Sequence, residues 1–300
     1  TIGWDRGVML PLLRGGYGDM AITLVLAHEY GHGVSRMARM NKLDAPILVR
    51  EQQADCLAGV YLRWVAEGSS PRFQLSTGDG LNDLLAVLIG IRDPLFIEGD
   101  DLEDAHGSAF ERISAFQTGF TEGARSCGLI DSAQIEQRRH GLPVALQHNT
   151  TGEWPVTEES VRTIVDELNT RLSPAEPPTL SFAEHHCDTA KPSPPASYCP
   201  ASNTIFVDLP ELIEMGTQPA PEDESLAAAM SVTGDNTAYS VLMSRYMLAL
   251  QHQRGGLSLD TAQAGLRTAC LTGAATAMLA EPFTSADGAT ITLSAGDLDE

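Results

Sequence analysis

His28-Glu29-Tyr30-Gly31-His32 reads H-E-x-x-H, and Glu51-Gln52-Gln53-Ala54-Asp55-Cys56 begins 19 residues after its last histidine. Met20, Ile22, Leu24, Val25 and Leu26 make the turns before the first stretch apolar nearly all round, which predicts a buried helix over 20–40. Asp19, after Gly18, is its expected N-cap. A second helix is expected over 46–67, opened by Asp44-Ala45-Pro46 and carrying Ile47, Leu48, Val49, Leu57, Val60, Tyr61 and Leu62. Residues four apart share a helix face, so His28 and His32 can reach one ion. Zn²⁺ takes histidine nitrogen at about 2.0–2.1 Å and asks for about four ligands. Glu29, next to His28, is placed to take a proton from a water at that ion. A helical hairpin would carry Glu51 to the open side of the histidine pair as third ligand. Asp55, at i+4 from Glu51, would then accept from the second ring nitrogen of His28 or His32, which sets tautomer and ring orientation. Taken alone, Glu51 and Asp55 read as an exposed acidic face; beside the histidines they read as a ligand and its backing.

Outward from this site, composition narrows the class. The 300 residues carry 19 Lys+Arg against 40 Asp+Glu, a net charge of −21, which excludes a phosphate-binding surface of the nucleic-acid type and adsorption to anionic lipid. At 43% hydrophobic the chain can bury a core, while apolar runs such as 21–27 fall far short of a membrane span. Five cysteines (Cys56, Cys127, Cys187, Cys199, Cys270) are too few for a disulfide scaffold, and no C-x-x-C pair occurs. Their odd number means that one thiol is free or has its partner outside these residues. Further helices are expected over 80–92, 108–126 and 157–172, the last capped by Thr157. Proline-rich connectors lie at 174–178 and 192–195, and short strands are expected at 1–5 and 204–208. The class is α+β, mainly helical.

A faint internal repeat divides the chain. Thr1-Ile2…Asp5 matches Thr204-Ile205…Asp208, and Gly18-Asp19…Val25-Leu26…Tyr30 matches Gly234-Asp235…Val241-Leu242…Tyr246. Cys56-Leu57…Gly59 matches Cys270-Leu271…Gly273, and Leu75-Ser76…Gly78-Asp79 matches Leu293-Ser294…Gly296-Asp297. The competing reading is that Ala/Leu/Gly-rich helices align with anything.

H-E-Y-G-H followed by E-Q-Q-A-D-C-L-A-G resembles the neutral zinc metallopeptidases, a family of gluzincin-type zincins. The resemblance continues in Leu75–Asp79, in His106-Gly107-Ser108 followed by Arg112, and in Tyr198-Cys199-Pro200…Ile205…Asp208, so it covers most of the chain. It implies a zincin-like metallopeptidase domain over 1–150 and a degenerate second copy over 151–300, the first copy lacking its N-terminal part and the second its part beyond Glu300. In the second copy Ser244, Arg245 and Leu248 stand at the places of His28, Glu29 and His32, and Gly265 and Ala269 at those of Glu51 and Asp55. None of these can hold Zn²⁺, so that copy is expected to be catalytically dead, serving packing, docking or inhibition.

Within the same resemblance Cys56 pairs with Cys127, and Cys187 with Cys199, while Cys270 copies Cys56. Such bridges imply an oxidising, extracytoplasmic setting, secreted or anchored to the cell envelope. The alternative for His185-His186-Cys187 with Cys199 is a second metal site. His106 has two open roles: it faces the developing oxyanion, or it caps the following helix. His140, His148 and His252 read as surface residues, and Asn149-Thr150-Thr151 is a glycosylation sequon.

The expected function is that of a zinc-dependent peptidase acting on a peptide or protein. His28, His32 and Glu51 bind Zn²⁺, Glu29 is the general base, and Asp55 orients a ligand histidine. No nucleic-acid partner and no transmembrane segment are expected. A cell-envelope partner through the second copy is. The alternative is a zinc-bearing envelope binding or scaffold protein without turnover.

Overall fold

The computed structural model describes residues 2–40, 44–76, 79–93, 96–97, 105–146, 154–184, 186–218, 234–285, 288, 290–292 and 294–299. The sequon, His148 and His185 lie outside them. The protein is mainly helical with a few short strands. It divides into two compact units, one within Thr1–Ala145 and the other within Leu146–Asp223 and Val232–Leu298.

The first unit is built from α1 (Met9–Tyr17), α2 (Asp19–Met37), α3 (Ile47–Ala66), α4 (Asp79–Gly90), α5 (Ala109–Glu122), α6 (Ala124–Cys127) and α7 (Ser132–Arg139). Its main core gathers Leu13, Leu24, Leu62, Leu84, Leu88 and Phe116, from α1 through α5. Each such side chain contributes roughly 1.5–3 kcal/mol by leaving water.

The expected helices over 20–40, 46–67 and 80–92 are present with shifted ends, that over 108–126 is broken at Gly123 into α5 and α6, and α1 is additional. The strand expected at 1–5 is not formed by the described residues 2–5. There the Asp5 carboxylate accepts from the backbone N–H of Gly7 at 2.7 Å and of Val8 at 3.2 Å, a local turn that competes with extended pairing and leads into α1. Asp19 is not the cap of α2. Gly18 takes that place at φ +76°, because α1 ends one residue before α2 begins, and Asp19 instead pairs with Arg14 at 2.7 Å.

α3 and α5 run in the same sense, since Asp55 meets Arg112, Gly59 meets Phe116 and Arg63 meets Phe120 in step along both helices. Glycine permits this approach. A β-carbon at Gly59 would strike the Phe116 carbonyl oxygen, and one at Gly119 would strike that of Cys56. Beside this crossing the Cys56–Cys127 disulfide ties α3 to the end of α6. Closing a loop of 71 residues contributes about 4 kcal/mol through the unfolded chain.

The second unit opens with α8 (Glu158–Leu172), capped by Thr157 as expected, its side chain accepting from Ser160 N–H. A three-stranded sheet follows, β1 (Thr179–Ser181), β2 (Ala196–Cys199) and β3 (Thr204–Val207), in the order β1-β3-β2. β1 runs parallel to β3, and β2 antiparallel to it with Tyr198 opposite Ile205. Next come α9 (Leu209–Met215), α10 (Asp235–Gln253), α11 (Ala262–Met278), the β4 (Phe283–Thr284) and β5 (Thr290–Ile291) pair, and α12 (Ala295–Asp299). The strand expected at 204–208 is β3.

β2 is buried along its whole length, against α10. The core here is carried by Leu242, Met243, Tyr246 and Met247 of α10 with Val161, Ile164 and Leu168 of α8. Buried tyrosine hydroxyls find partners: that of Tyr239 lies 2.7 Å from Ser160 Oγ, and that of Tyr246 lies 2.7 Å from Asn169 Oδ1. Cys187 and Cys199 form the second disulfide, so their sulfurs are not open to a metal and the alternative of a second metal site there is set aside. Cys270 is a free, exposed thiol on α11.

Candidate metal centre

Gly31, inside the H-E-x-x-H stretch, is where α2 meets α3. A β-carbon there would stand 2.9 Å from the Ala54 carbonyl oxygen and 3.0 Å from its Cα. Only a glycine lets the two backbones come this close, and the close approach brings both imidazoles within reach of Glu51. His28 Nε2 is 3.2 Å from Glu51 Oε2, and His32 Nε2 is 3.4 Å from Glu51 Oε1. The two Nε2 atoms are 3.2 Å apart, their rings nearly perpendicular.

Ligands about 2.0–2.1 Å from a tetrahedral ion stand about 3.3–3.4 Å from one another. His28 Nε2 stands near that spacing from both His32 Nε2 and Glu51 Oε2, and one ligand atom from each of the three residues lies within 4.8 Å of the others, so the residues could hold a metal ion. The His28 side chain is buried at 8% exposed, that of Glu51 is 13% exposed and that of His32 33%. The His32 donor is therefore the most accessible of the three.

Behind the donors is a second layer that the structure brings together. His28 Nδ1 donates to Asp55 Oδ1 at 2.7 Å, which fixes Nε2 as the nitrogen turned toward Glu51 and His32. Asp55 also receives Arg112 Nη2 of α5 at 3.0 Å. Gln53, fully buried, accepts from Ser35 Oγ of α2 at 2.9 Å and donates to the Ile130 carbonyl at 2.9 Å, linking α2, α3 and the turn before α7. Gln52, equally buried, accepts from Arg138.

Sequence reasoning assigned no role to Gln52, Gln53 or Arg112. The available signal was that two amides beside a metal ligand on an otherwise apolar helix need partners from other elements.

In the metal-free protein these contacts shift protonation. Burial pushes the His28 imidazole down, but its hydrogen bonds to Asp55 and Glu51 outweigh this and raise its pKa to about 9. Burial alone would raise Glu51, yet the bonds from His28 and His32 hold its carboxyl far below the usual carboxylate range. Without an ion the site is thus an internal ion pair.

Glu29 lies half-buried on α2 beside His28. His106 is half-exposed, with Nδ1 3.3 Å from Asp93 Oδ1 and its backbone N–H 2.5 Å from Asp93 Oδ2. The cap of α5 is Ser108, in a reciprocal capping box with Glu111, so His106 does not cap that helix. The segment it belongs to passes the N-terminal turn of α3: a β-carbon on Gly107 would lie 3.3 Å from Leu48 Cδ1. Of the other histidines, His140 is exposed, and exposed His252 meets the Tyr198 hydroxyl at 3.0 Å.

No known family model, curated protein or solved structure matches the chain.

Proposed function

We propose that the chain is a zinc-dependent peptidase of the zincin type. The observation that carries this reading is the convergence of His28 Nε2 and His32 Nε2, 3.2 Å apart, on the Glu51 carboxylate, whose Oε2 is 3.2 Å from His28 and whose Oε1 is 3.4 Å from His32, with Glu29 next to His28 on the same helix. Two histidines and a glutamate form a ligand set of catalytic rather than structural zinc sites, which are closed and rich in cysteine. When bound, the ion supplies a Lewis acid that polarises a peptide carbonyl and acidifies a water near neutral pH.

The chain's own residues do the rest. Glu29 takes the proton at a carboxylate oxygen and returns it to the leaving amine. Asp55 keeps His28 in the Nδ1–H tautomer, so that Nε2 stays a donor toward the ion. His106, whose ring meets Asp93, is the proposed donor for the developing oxyanion.

The second unit is read as a degenerate copy of the first. In support, α10 opens on Gly234-Asp235 as α2 opens on Gly18-Asp19, and both helices run 19 residues. α11 begins within one residue of where the alignment of Cys56 with Cys270 sets the start of α3. Arg245 stands where α2 has Glu29, and its Nε donates to the Ala196 carbonyl of β2 at 2.7 Å, an anchoring contact without chemistry. Two disulfides favour an extracytoplasmic protein, and no helix among the described residues is long and apolar enough to cross a membrane.

Glu29→Gln tests the proposal. The variant is expected to keep the metal, measured by elemental analysis, and to lose peptidase activity by about 100-fold or more. A parent activity abolished by chelation and restored by Zn²⁺ is the companion result. A variant that cleaves as fast as the parent ends the reading, and a zinc-loaded parent without turnover favours a binding or scaffold protein.

A further inference from the structure

We propose that Arg112 is a positioning residue for the metal centre, acting on His28 through Asp55; this rests on the metal-binding reading above. Asp55 is fully buried, and a carboxylate withdrawn from water must be paired. Its Oδ1 receives two N–H groups from opposite sides, His28 Nδ1 at 2.7 Å and Arg112 Nη2 at 3.0 Å. Oδ2 is also buried and has no hydrogen-bond partner among the described residues. The pair is therefore not the usual two-pronged arginine–carboxylate fork. One oxygen is shared between a ligand histidine and a guanidinium.

That sharing makes the arginine directional. Oδ1 can point at His28 Nδ1 only in a narrow range of Asp55 side-chain rotation, and the bond from Arg112 holds it there. The guanidinium is 4% exposed and is carried on a helix that cannot drift. One turn before it lies the Ser108–Glu111 capping box, and two turns after it Gly119 abuts the Cys56 backbone, one residue from Asp55. The chain of control runs from the α3–α5 crossing to Arg112, to Asp55, to the tilt and tautomer of the His28 ring.

With His28 neutral, as a metal ligand must be, the Asp55 carboxylate and the Arg112 guanidinium in this line balance in charge. Removing Arg112 leaves Asp55 with His28 as sole partner and no buried counter-charge. The carboxylate is then free to rotate, and His28 Nε2 loses its fixed heading toward Glu51 and His32.

The full-length chain with Arg112→Met and Arg112→Lys tests this with two readouts. In metal-free protein the His28 Nδ1 proton should give a downfield, exchange-protected resonance, broadened in Arg112→Met and partly recovered in Arg112→Lys. In the Co²⁺-loaded protein the visible absorption bands should shift in Arg112→Met, and chelator competition should show Zn²⁺ affinity lowered by about 10–100-fold. Because the arginine acts through Asp55, Asp55→Asn/Arg112→Met should bind metal no more weakly than Asp55→Asn alone.

If Arg112→Met keeps the parent's proton resonance and Co²⁺ spectrum while only its melting temperature falls, the positioning role is overturned and the residue merely supports packing. Should Arg112→Met fail to fold, Arg112→Lys decides by the same two spectra. A parent that binds no metal, yet whose Nδ1 proton signal depends on Arg112, would refute the metal reading and leave the positioning of His28 standing.

Discussion

α2 with α3, and α10 with α11, are helix pairs of similar length, yet among the described residues only the first gathers side chains that could hold an ion. In α3 Gln52, Asp55, Cys56 and Gly59 are all buried, the last three against α5. On α11 the aligned Leu266, Ala269 and Cys270 are exposed, and nothing lies within 4 Å of a β-carbon built on Gly273. Likewise Glu51 is largely buried between histidines, whereas Gly265 faces solvent. The difference teaches what surrounds the candidate donors: a third helix carries Arg112 to Asp55, and glycines let that helix approach.

Exchanging residues between the two pairs breaks or sharpens this comparison. The largest effect is expected from Glu51→Gly, which imports Gly265. Metal affinity measured by calorimetry should fall by more than about 100-fold, beyond the cost of losing a mere hydrogen-bond partner of a ligand. The converse Gly265→Glu should bind nothing new, because Ser244 and Leu248 offer no imidazole. Retention of tight metal binding by Glu51→Gly would dissolve the contrast.

Next is Gly59→Ala against Gly273→Ala. The first places a methyl group on the Phe116 backbone, which cannot step aside as a flexible side chain would, and should cost about 1–3 kcal/mol or more in urea unfolding. The second fills open space on a helix and should stabilise by up to about 1 kcal/mol. Equal effects at the two positions would mean that α11 is covered as α3 is.

The smallest effect is a pH slope. His28 is raised to about 9, so its contribution to the stability of the metal-free protein is complete below about pH 6.5 and is lost as pH rises through 9. Glu51 is lowered, so its share is present above about pH 4.5 and is lost only in strong acid. Thermal melts of metal-free protein should therefore decline between pH 6.5 and 9, by on the order of 2 kcal/mol, and His28→Ala should flatten that decline. Metal affinity should move the opposite way, rising over the same range as the competing proton leaves His28. A metal-free parent whose stability is level from pH 6.5 to 9 would remove the internal ion pair. No such slope is expected from the second unit's Ser244, Arg245 and Leu248.

Much of the site was legible because helix periodicity is a local rule. His28 and His32 share a face by spacing alone, and Asp55 follows Glu51 by one turn. Thr157 could be named as a cap from its place before an amphipathic run. The misread elements were those where a local competitor wins. Asp5 closes a turn on Gly7 and Val8 in place of a strand, and Gly18 takes the cap position that Asp19 was expected to hold. Nothing in the pattern around His106 indicated that Asp93, 13 residues earlier, would hold its ring and backbone.

What the sequence by itself determined is which residues come as pairs, His28 with His32 and Glu51 with Asp55, since 3.6 residues per turn sets which side chains share a face. What only the tertiary structure decided is which His28 nitrogen faces Glu51 and His32 and what holds it there. His28 turns Nε2 toward Glu51 because Nδ1 is taken by Asp55, and Asp55 is held by an arginine 57 residues away. That partnership depends on two helix backbones touching at glycines. No local pattern encodes such contacts, because they arise only when the packed helices exclude every side chain larger than hydrogen.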